Sequence, residues 1–124
     1  LKYKILYDPE TITNDDLLYN GHLNFEKSFN VKLPDNLTIN GTLDLAHSMI
    51  KELPKNLKVS GNLHLVGSDV SELPPDLIVS GDMTIRGTKI DTIPKTITVG
   101  GILSMDHKSQ HFTKVPKHID FRQW

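Results

Sequence analysis

The chain lacks cysteine and holds little aromatic material. None of its 124 residues is Cys, which excludes disulfides and thiolate chemistry. Four Phe, three Tyr and one Trp are too few to line a deep ligand pocket. No apolar run approaches the ~18 residues of a membrane-spanning helix, and no signal peptide is visible. We therefore expect a single domain that does not enter a membrane. We expect it in the cytoplasm, with a secreted effector as the alternative.

The main feature of the sequence is a repeat of twenty residues. Residues 33–52 read LPDNLTINGTLDLAHSMIKE, residues 53–72 read LPKNLKVSGNLHLVGSDVSE, and residues 73–92 read LPPDLIVSGDMTIRGTKIDT. A fixed period of this length is typical of a solenoid, in which each unit buries its apolar side against its neighbours. The outer surface of a solenoid repeats in rows, so functional residues are expected in columns that are twenty positions apart.

Each unit contains two alternating apolar runs separated by a glycine. Alternation of this kind predicts strands, and the glycine predicts a bend or a close approach of two backbones. The Leu-Pro pair that opens each unit belongs in a connection, because proline has no amide hydrogen to donate to a ladder. The glycine column consists of Gly21, Gly41, Gly61, Gly81 and Gly101. We predict one repeat domain over residues 1–124, with four to five turns in 17–114.

The two ends depart from the repeat and are predicted to be caps, an N-terminal one over residues 1–16 and a C-terminal one over 115–124. Apolar residues alternate at Leu1, Tyr3, Ile5 and Tyr7, which favours a strand or a strand pair. Residues 13–16, Thr-Asn-Asp-Asp, favour the start of a helical turn. The start of the chain is acidic, with two lysines against five carboxylates in residues 1–26. The end is basic, with four cations against one carboxylate in 107–124.

One unit is similar to a known repeat. Residues 63–74, LHLVGSDVSELP, resemble the leucine-rich repeat core L-x-L-x-x-N-x-L-x-x-L-P. The length and the Leu-Pro ending resemble the short bacterial subclass found in secreted effectors, and the style of the repeat also looks like repeat proteins of bacteria and their phages. The resemblance spans residues 17–116. It departs at the Asn position, which is filled here by Ser28, Ser48, Ser68 and Thr88.

The resemblance implies a β-rich solenoid of the leucine-rich-repeat kind, a right-handed coil with parallel strands. A parallel β-solenoid with two strands per turn is the alternative, because the family has no fixed glycine before its strand. In the family, the Asn side chain bonds backbone groups of adjacent turns, and a hydroxyl can replace only part of this bonding. The resemblance further implies a scaffold that engages proteins through the exposed side chains of its strand face.

The strand face is predicted to carry three outward columns, since side chains alternate across a strand and adjacent turns pair at about 4.8 Å. The first column contains Asn62 and Asp82. The second contains Asp44, His64 and Thr84, and the third contains Val66 and Arg86. Arg86 is the candidate anchor, because arginine is enriched among residues that dominate binding energy. The basic C-terminal end is a second candidate surface, formed by Lys108, Lys114, Lys117 and Arg122.

Other chemistries have weaker signals. Asp44, His64 and Thr84 would stack in the order of an acyl-transfer triad, but on an open face without a visible oxyanion hole. His107 and His111 have a metal-ligand spacing for a helix, yet they lie in a predicted loop beside Lys108. Lysines scatter among carboxylates, which does not favour nucleic acid. We expect no cofactor and no metal.

The sequence therefore predicts a non-catalytic protein-interaction scaffold, such as a bacterial or phage-borne adaptor or inhibitor. The alternatives are a structural spacer or surface-adhesion repeat, and a hydrolase-like enzyme that uses Asp44 and His64. A protein is the predicted partner, and a homodimer through the solenoid ends is a further prediction.

Overall fold

The computed structural model describes residues 1–106 and 115–123, and its regular elements are short. An α-helix, α1 (Lys2–Tyr7), is followed by two 3₁₀ helices, Pro9–Thr11 and Asn14–Leu17. The strands are β1 (Leu18–Asn20), β2 (Leu23–Asn24), β3 (Thr38–Asn40), β4 (Leu43–Asp44), β5 (Lys58–Val59), β6 (Leu63–His64), β7 (Ile78–Val79), β8 (Met83–Thr84), β9 (Thr98–Val99), β10 (Ile102–Met105) and β11 (Asp120–Gln123). No helix in this part of the chain is long and apolar enough to cross a membrane.

The strands form two parallel sheets. Sheet A has the order β1-β3-β5-β7-β9, and sheet B has the order β11-β10-β8-β6-β4-β2. Along the coils, register partners are twenty residues apart, as in the pairs Leu43↔Leu63 and Leu63↔Met83. The predicted parallel β-solenoid is confirmed, with five coils and two strands per coil. The proposed alternative with two strands per turn is thus the version that the chain adopts.

A continuous apolar core runs along the axis of the solenoid. Leu43, Leu63, Met83 and Leu103 form one column of fully buried side chains, contributed by consecutive coils of sheet B. Parallel columns from sheet A and from the third side of each coil complete the core. Burial of each such side chain contributes about 1.5–3 kcal/mol, so the stacking of identical positions is the main source of stability.

The glycine column forms the corner between the two sheets. The amide of Gly61 donates to the carbonyl of Gly41 at 2.9 Å, and the amide of Gly81 donates to that of Gly61 at 3.0 Å. A Cβ atom on Gly61 would lie 2.7 Å from the carbonyl carbon of Gly41. The predicted close approach of the two backbones is therefore confirmed. Only glycine fits at this position, because any side chain would overlap the backbone of the adjacent coil.

Two members of the Ser/Thr column, which consists of Ser28, Ser48, Ser68 and Thr88, close turns within their own coil. Ser48 Oγ donates to the Leu45 carbonyl at 2.8 Å, and Thr88 Oγ1 donates to that of Ile85 at 2.6 Å. The hydroxyl of Ser68 is buried and has no hydrogen-bond partner among the described residues. Ser48 and Thr88 thus hold the turn after sheet B, and these two hydroxyls bond within one coil and not between coils.

The N-terminal cap is helical, so the strand predicted for its first residues is wrong. The Ile5 amide donates to the Leu1 carbonyl at 2.9 Å, as in an α-helix. Leu1 and Ile5 pack on the core, and the rings of Tyr3 and Tyr7 lie 5.3 Å apart on the exposed side. The alternation misled because residues 1 and 5, and residues 3 and 7, are also neighbours on a helix.

The predicted helical turn after it is present as the second 3₁₀ helix. It is held by Asp16 Oδ2, which accepts the Thr13 amide at 2.9 Å and the Lys4 ammonium at 2.8 Å. These two hydrogen bonds, with that from Lys4 the stronger influence, lower the pKa of Asp16 from 3.8 to about 2. The carboxylate thereby connects α1 to the segment that enters the first coil.

The other end of the described solenoid is a strand. In β11, Asp120–Gln123 pairs in parallel with β10, and Ile119 is buried beneath it. His118 Nε2 lies 2.8 Å from the Ile97 carbonyl, so it occupies an acceptor at the edge of sheet A. The C-terminal segment thus extends sheet B by one strand without extending sheet A.

Candidate functional site

The outer face of sheet B is the predicted strand face, and the structure brings its columns into direct register. Asp44 is paired with His64, His64 with Thr84, and Thr84 with Ser104. Asp44 and His64 each lie between two buried leucines in the sequence. Because side chains alternate along a strand, they point outward. The predicted neighbour relations of the second column are therefore present, and we call the exposed side chains of sheet B and its two flanking columns the outer face.

The first column of the outer face is a hydrogen-bond ladder. Thr42 Oγ1 accepts the Asn62 amide at 3.2 Å, and Asn62 Oδ1 accepts the Asp82 amide at 2.9 Å. The ladder begins at His22 Nδ1, which accepts the Thr42 amide, and ends at Asp82 Oδ1, which accepts the Ile102 amide at 2.8 Å. Asn62 and Asp82, which we predicted to bind a partner, thus also join one coil to the next.

The second column divides into bonded and unbonded side chains. Asp44 Oδ1 accepts the amide of Ala46 at 3.0 Å, which closes a local turn. His64 and Thr84 are half-buried and make no side-chain hydrogen bond within the described residues. No hydrogen bond joins Asp44 to His64 or His64 to Thr84, so the side chains of the hypothetical triad are neighbours without being connected.

The third column carries an apolar spot and an ion pair. Ala46 is buried and Val66 is half-buried beside it. Arg86 Nε lies 3.5 Å from Asp106 Oδ1, and the arginine side chain is 45% exposed. Asp106 also accepts the Gly87 amide at 2.7 Å, which fixes its carboxylate. The ion pair orients the guanidinium of Arg86 at the surface of the third column.

The basic C-terminal end is described in part. Lys117 and Arg122 are exposed, on the segment that leads into β11 and on the strand itself. Lys108 and Lys114 lie outside the described residues, as do His107 and His111. Among the residues that are described, no group of three or more potential ligands is placed to hold a metal ion.

A groove between the N-terminal cap and the first two coils was not predicted from the sequence. We call it the cap groove. It encloses about 780 Å³, and its lining includes Leu6, Phe29, Met49, Lys51 and Pro54. Phe29 is 76% exposed and Met49 is 48% exposed, at equivalent positions of successive coils. Large apolar side chains at an exposed column are the signal that could have revealed it.

The cap groove opens where the repeat is irregular. After the Ser/Thr column, coils two to four bury Ile50, Val70 and Ile90, whereas the first coil has the exposed Asn30 at this position. Val31 is buried there in its place. The inward side chain is shifted by one residue, so the first coil follows a different path on this side, beside α1.

Comparison with known proteins returns no relative. No protein-family model matches the chain, and no curated protein or solved structure matches it either. The repeat fold is therefore established by the strand register.

Proposed function

We propose that the protein is a non-catalytic scaffold that binds another protein through the outer face of sheet B. The observation that carries this proposal is the position of His64 and Thr84. They lie side by side at the middle of the face, and their side-chain polar atoms make no hydrogen bond to any residue that the structure describes. Unused donors and acceptors at the centre of a face are suited to pairing with a partner.

The surroundings of this pair support the same proposal. Val66 offers an apolar contact, and Arg86 offers an oriented guanidinium at the edge of the same sheet. Apolar centres with arginine anchors are typical of protein interfaces. The resemblance of the Leu-Pro repeat to leucine-rich repeats favours the same use, as an adaptor or inhibitor of bacterial or phage origin.

The test is capture of a partner by the immobilised protein, followed by affinity measurements with the purified partner. We expect His64→Ala and Arg86→Ala to weaken binding about tenfold each, as for residues at the centre of an interface. The matched control is Lys58→Ala, which removes an exposed side chain from sheet A. Equal affinities for all three variants would contradict the use of sheet B.

A structural spacer is the second candidate, because the solenoid ends carry opposite charge in the sequence. It predicts end-to-end oligomers in size-exclusion chromatography and no captured partner. Hydrolysis of generic esters, lost in His64→Ala and kept in Arg86→Ala, would instead favour an enzyme.

A further inference from the structure

The cap groove combines apolar side chains with lysines that form no ion pair in residues 1–106 and 115–123. Lys32, Lys51 and Lys55 line it, are exposed, and have no carboxylate within 4.0 Å in the described chain. Of the two carboxylates in the lining, Asp35 already accepts the Lys55 amide at 2.9 Å. The lining thus holds three lysines against Asp35 and Glu52, and its net positive charge suits carboxylates in an occupant.

Two stretches of the backbone that lines the groove lack backbone hydrogen bonds in the part of the chain that the structure describes. Residues 29–34 and 50–54 donate and accept no backbone hydrogen bond within the described chain, in contrast to the ladders of sheets A and B. Peptide groups in an extended segment can pair with a strand laid beside them, which is a common mode of peptide recognition. An occupant with an extended backbone would use these groups.

We propose that the cap groove binds an extended peptide segment of a partner protein, with apolar side chains that contact Phe29 and Met49 and carboxylates that pair with Lys51 and its neighbours. This inference rests on the proposed function, since it assigns a second contact of a protein-binding scaffold. It differs from that function in its site, because the groove lies at the N-terminal cap and not on the outer face of sheet B.

The probe is a fluorescently labelled peptide of about eight residues, a typical strand length. Leucine and glutamate alternate in it, and a second peptide has lysine in place of glutamate. Fluorescence anisotropy measures the affinity of each for the full chain. We expect the glutamate peptide to bind and the lysine peptide to bind at least tenfold more weakly. Binding of the glutamate peptide should weaken with salt, because exposed charges are screened.

The variants are chosen so that folding is not at risk. Phe29→Ala removes a side chain that is 76% exposed, and Lys51→Glu reverses an exposed charge. Each should weaken the glutamate peptide about tenfold. Their controls are Ile78→Ala and Lys58→Glu, which make the same kinds of change on the exposed side of sheet A and should leave the affinity unchanged.

The results separate this inference from the proposed function. Equal binding of both peptides, or no binding, overturns the groove inference. Binding that is lost in His64→Ala and kept in Phe29→Ala also overturns it, and it leaves the outer face of sheet B as the peptide site. A concentration-dependent dimer that Phe29→Ala dissociates would overturn it too, because a second copy would then occupy the groove. If the outer face captures no partner but the glutamate peptide binds the groove, the proposed function is contradicted and the groove inference is not.

Discussion

At the scale of single residues, the glycine column shows how little space separates the coils. Gly61→Ala would place a Cβ atom against the carbonyl group of Gly41, which belongs to rigid backbone in the adjacent coil. Backbone shifts that relieve such overlaps cost about 1–3 kcal/mol. We expect Gly61→Ala to lower the free energy of unfolding by about this amount, measured by urea denaturation.

The adjacent residue provides the control for this substitution. Ser60 is exposed at the same corner, and Ser60→Ala should change the free energy of unfolding by less than about 0.5 kcal/mol. A Gly61→Ala variant that is as stable as Ser60→Ala would show that the coils are further apart than described.

The ladder of the first column makes a second prediction for single residues. Asn62→Ala removes the acceptor for the Asp82 amide, and a lost hydrogen bond of this kind costs about 0.5–1.5 kcal/mol. Asn62→Asp keeps an oxygen in the same place and should retain most of the stability. Thermal unfolding of both variants checks this. Equal loss of stability in Asn62→Asp and Asn62→Ala would contradict a role for the acceptor.

At the scale of elements, the cap depends on one carboxylate. Asp16 has a pKa lowered from 3.8 to about 2, first by the hydrogen bond from Lys4 and then by that from the Thr13 amide. A lowered pKa means that the ionised form stabilises the folded state above pH 3.8, and that this stabilisation disappears as the pH falls through about 2.

The lowered pKa of Asp16 predicts how the effect of Asp16→Asn on stability depends on pH. Above pH 3.8 the wild type should be the more stable protein, and the difference in melting temperature should shrink as the pH approaches 2. Asp15→Asn, at an exposed neighbour, is the control. A difference between wild type and Asp16→Asn that stays constant over this range would contradict the assigned hydrogen bonds.

The sequence predicts the elements well where the period is fixed and poorly where it is not. The strands around Gly41, Gly61 and Gly81 follow from an alternation that repeats in every coil, so each copy supports the others. In the cap, Leu1 and Ile5 occur once, and their spacing fits a helix as well as a strand. At Asn30 the inward side chain shifts by one residue, which opens the cap groove, and no repeated pattern reveals such a shift.

The candidate site was predictable in its columns and less so in their chemistry. The stacking of Asp44, His64 and Thr84 follows from the period alone. The period does not show which side chains take part in holding the coils together. Asn62 and Asp82 bond to amides of the next coil through rotamers that depend on local geometry. The structure thus leaves His64 and Thr84 as the central polar groups of the outer face.

At the scale of the whole molecule, the repeat makes neighbours of residues that are distant in the chain. Five coils share one core, so each outer column is a row of side chains at the spacing of a parallel ladder. Both proposed binding surfaces depend on this arrangement, one on the regular part of the stack and the other on its irregular first coil. A homodimer through the solenoid ends stays a prediction.

The stacking of the coils is measured most directly by nuclear Overhauser contacts between core methyl groups. We predict cross-peaks between Leu43 and Leu63 and between Leu63 and Met83, which are register partners in sheet B. A spectrum in which Leu63 contacts neither residue would contradict the twenty-residue stack and both binding surfaces that rest on it.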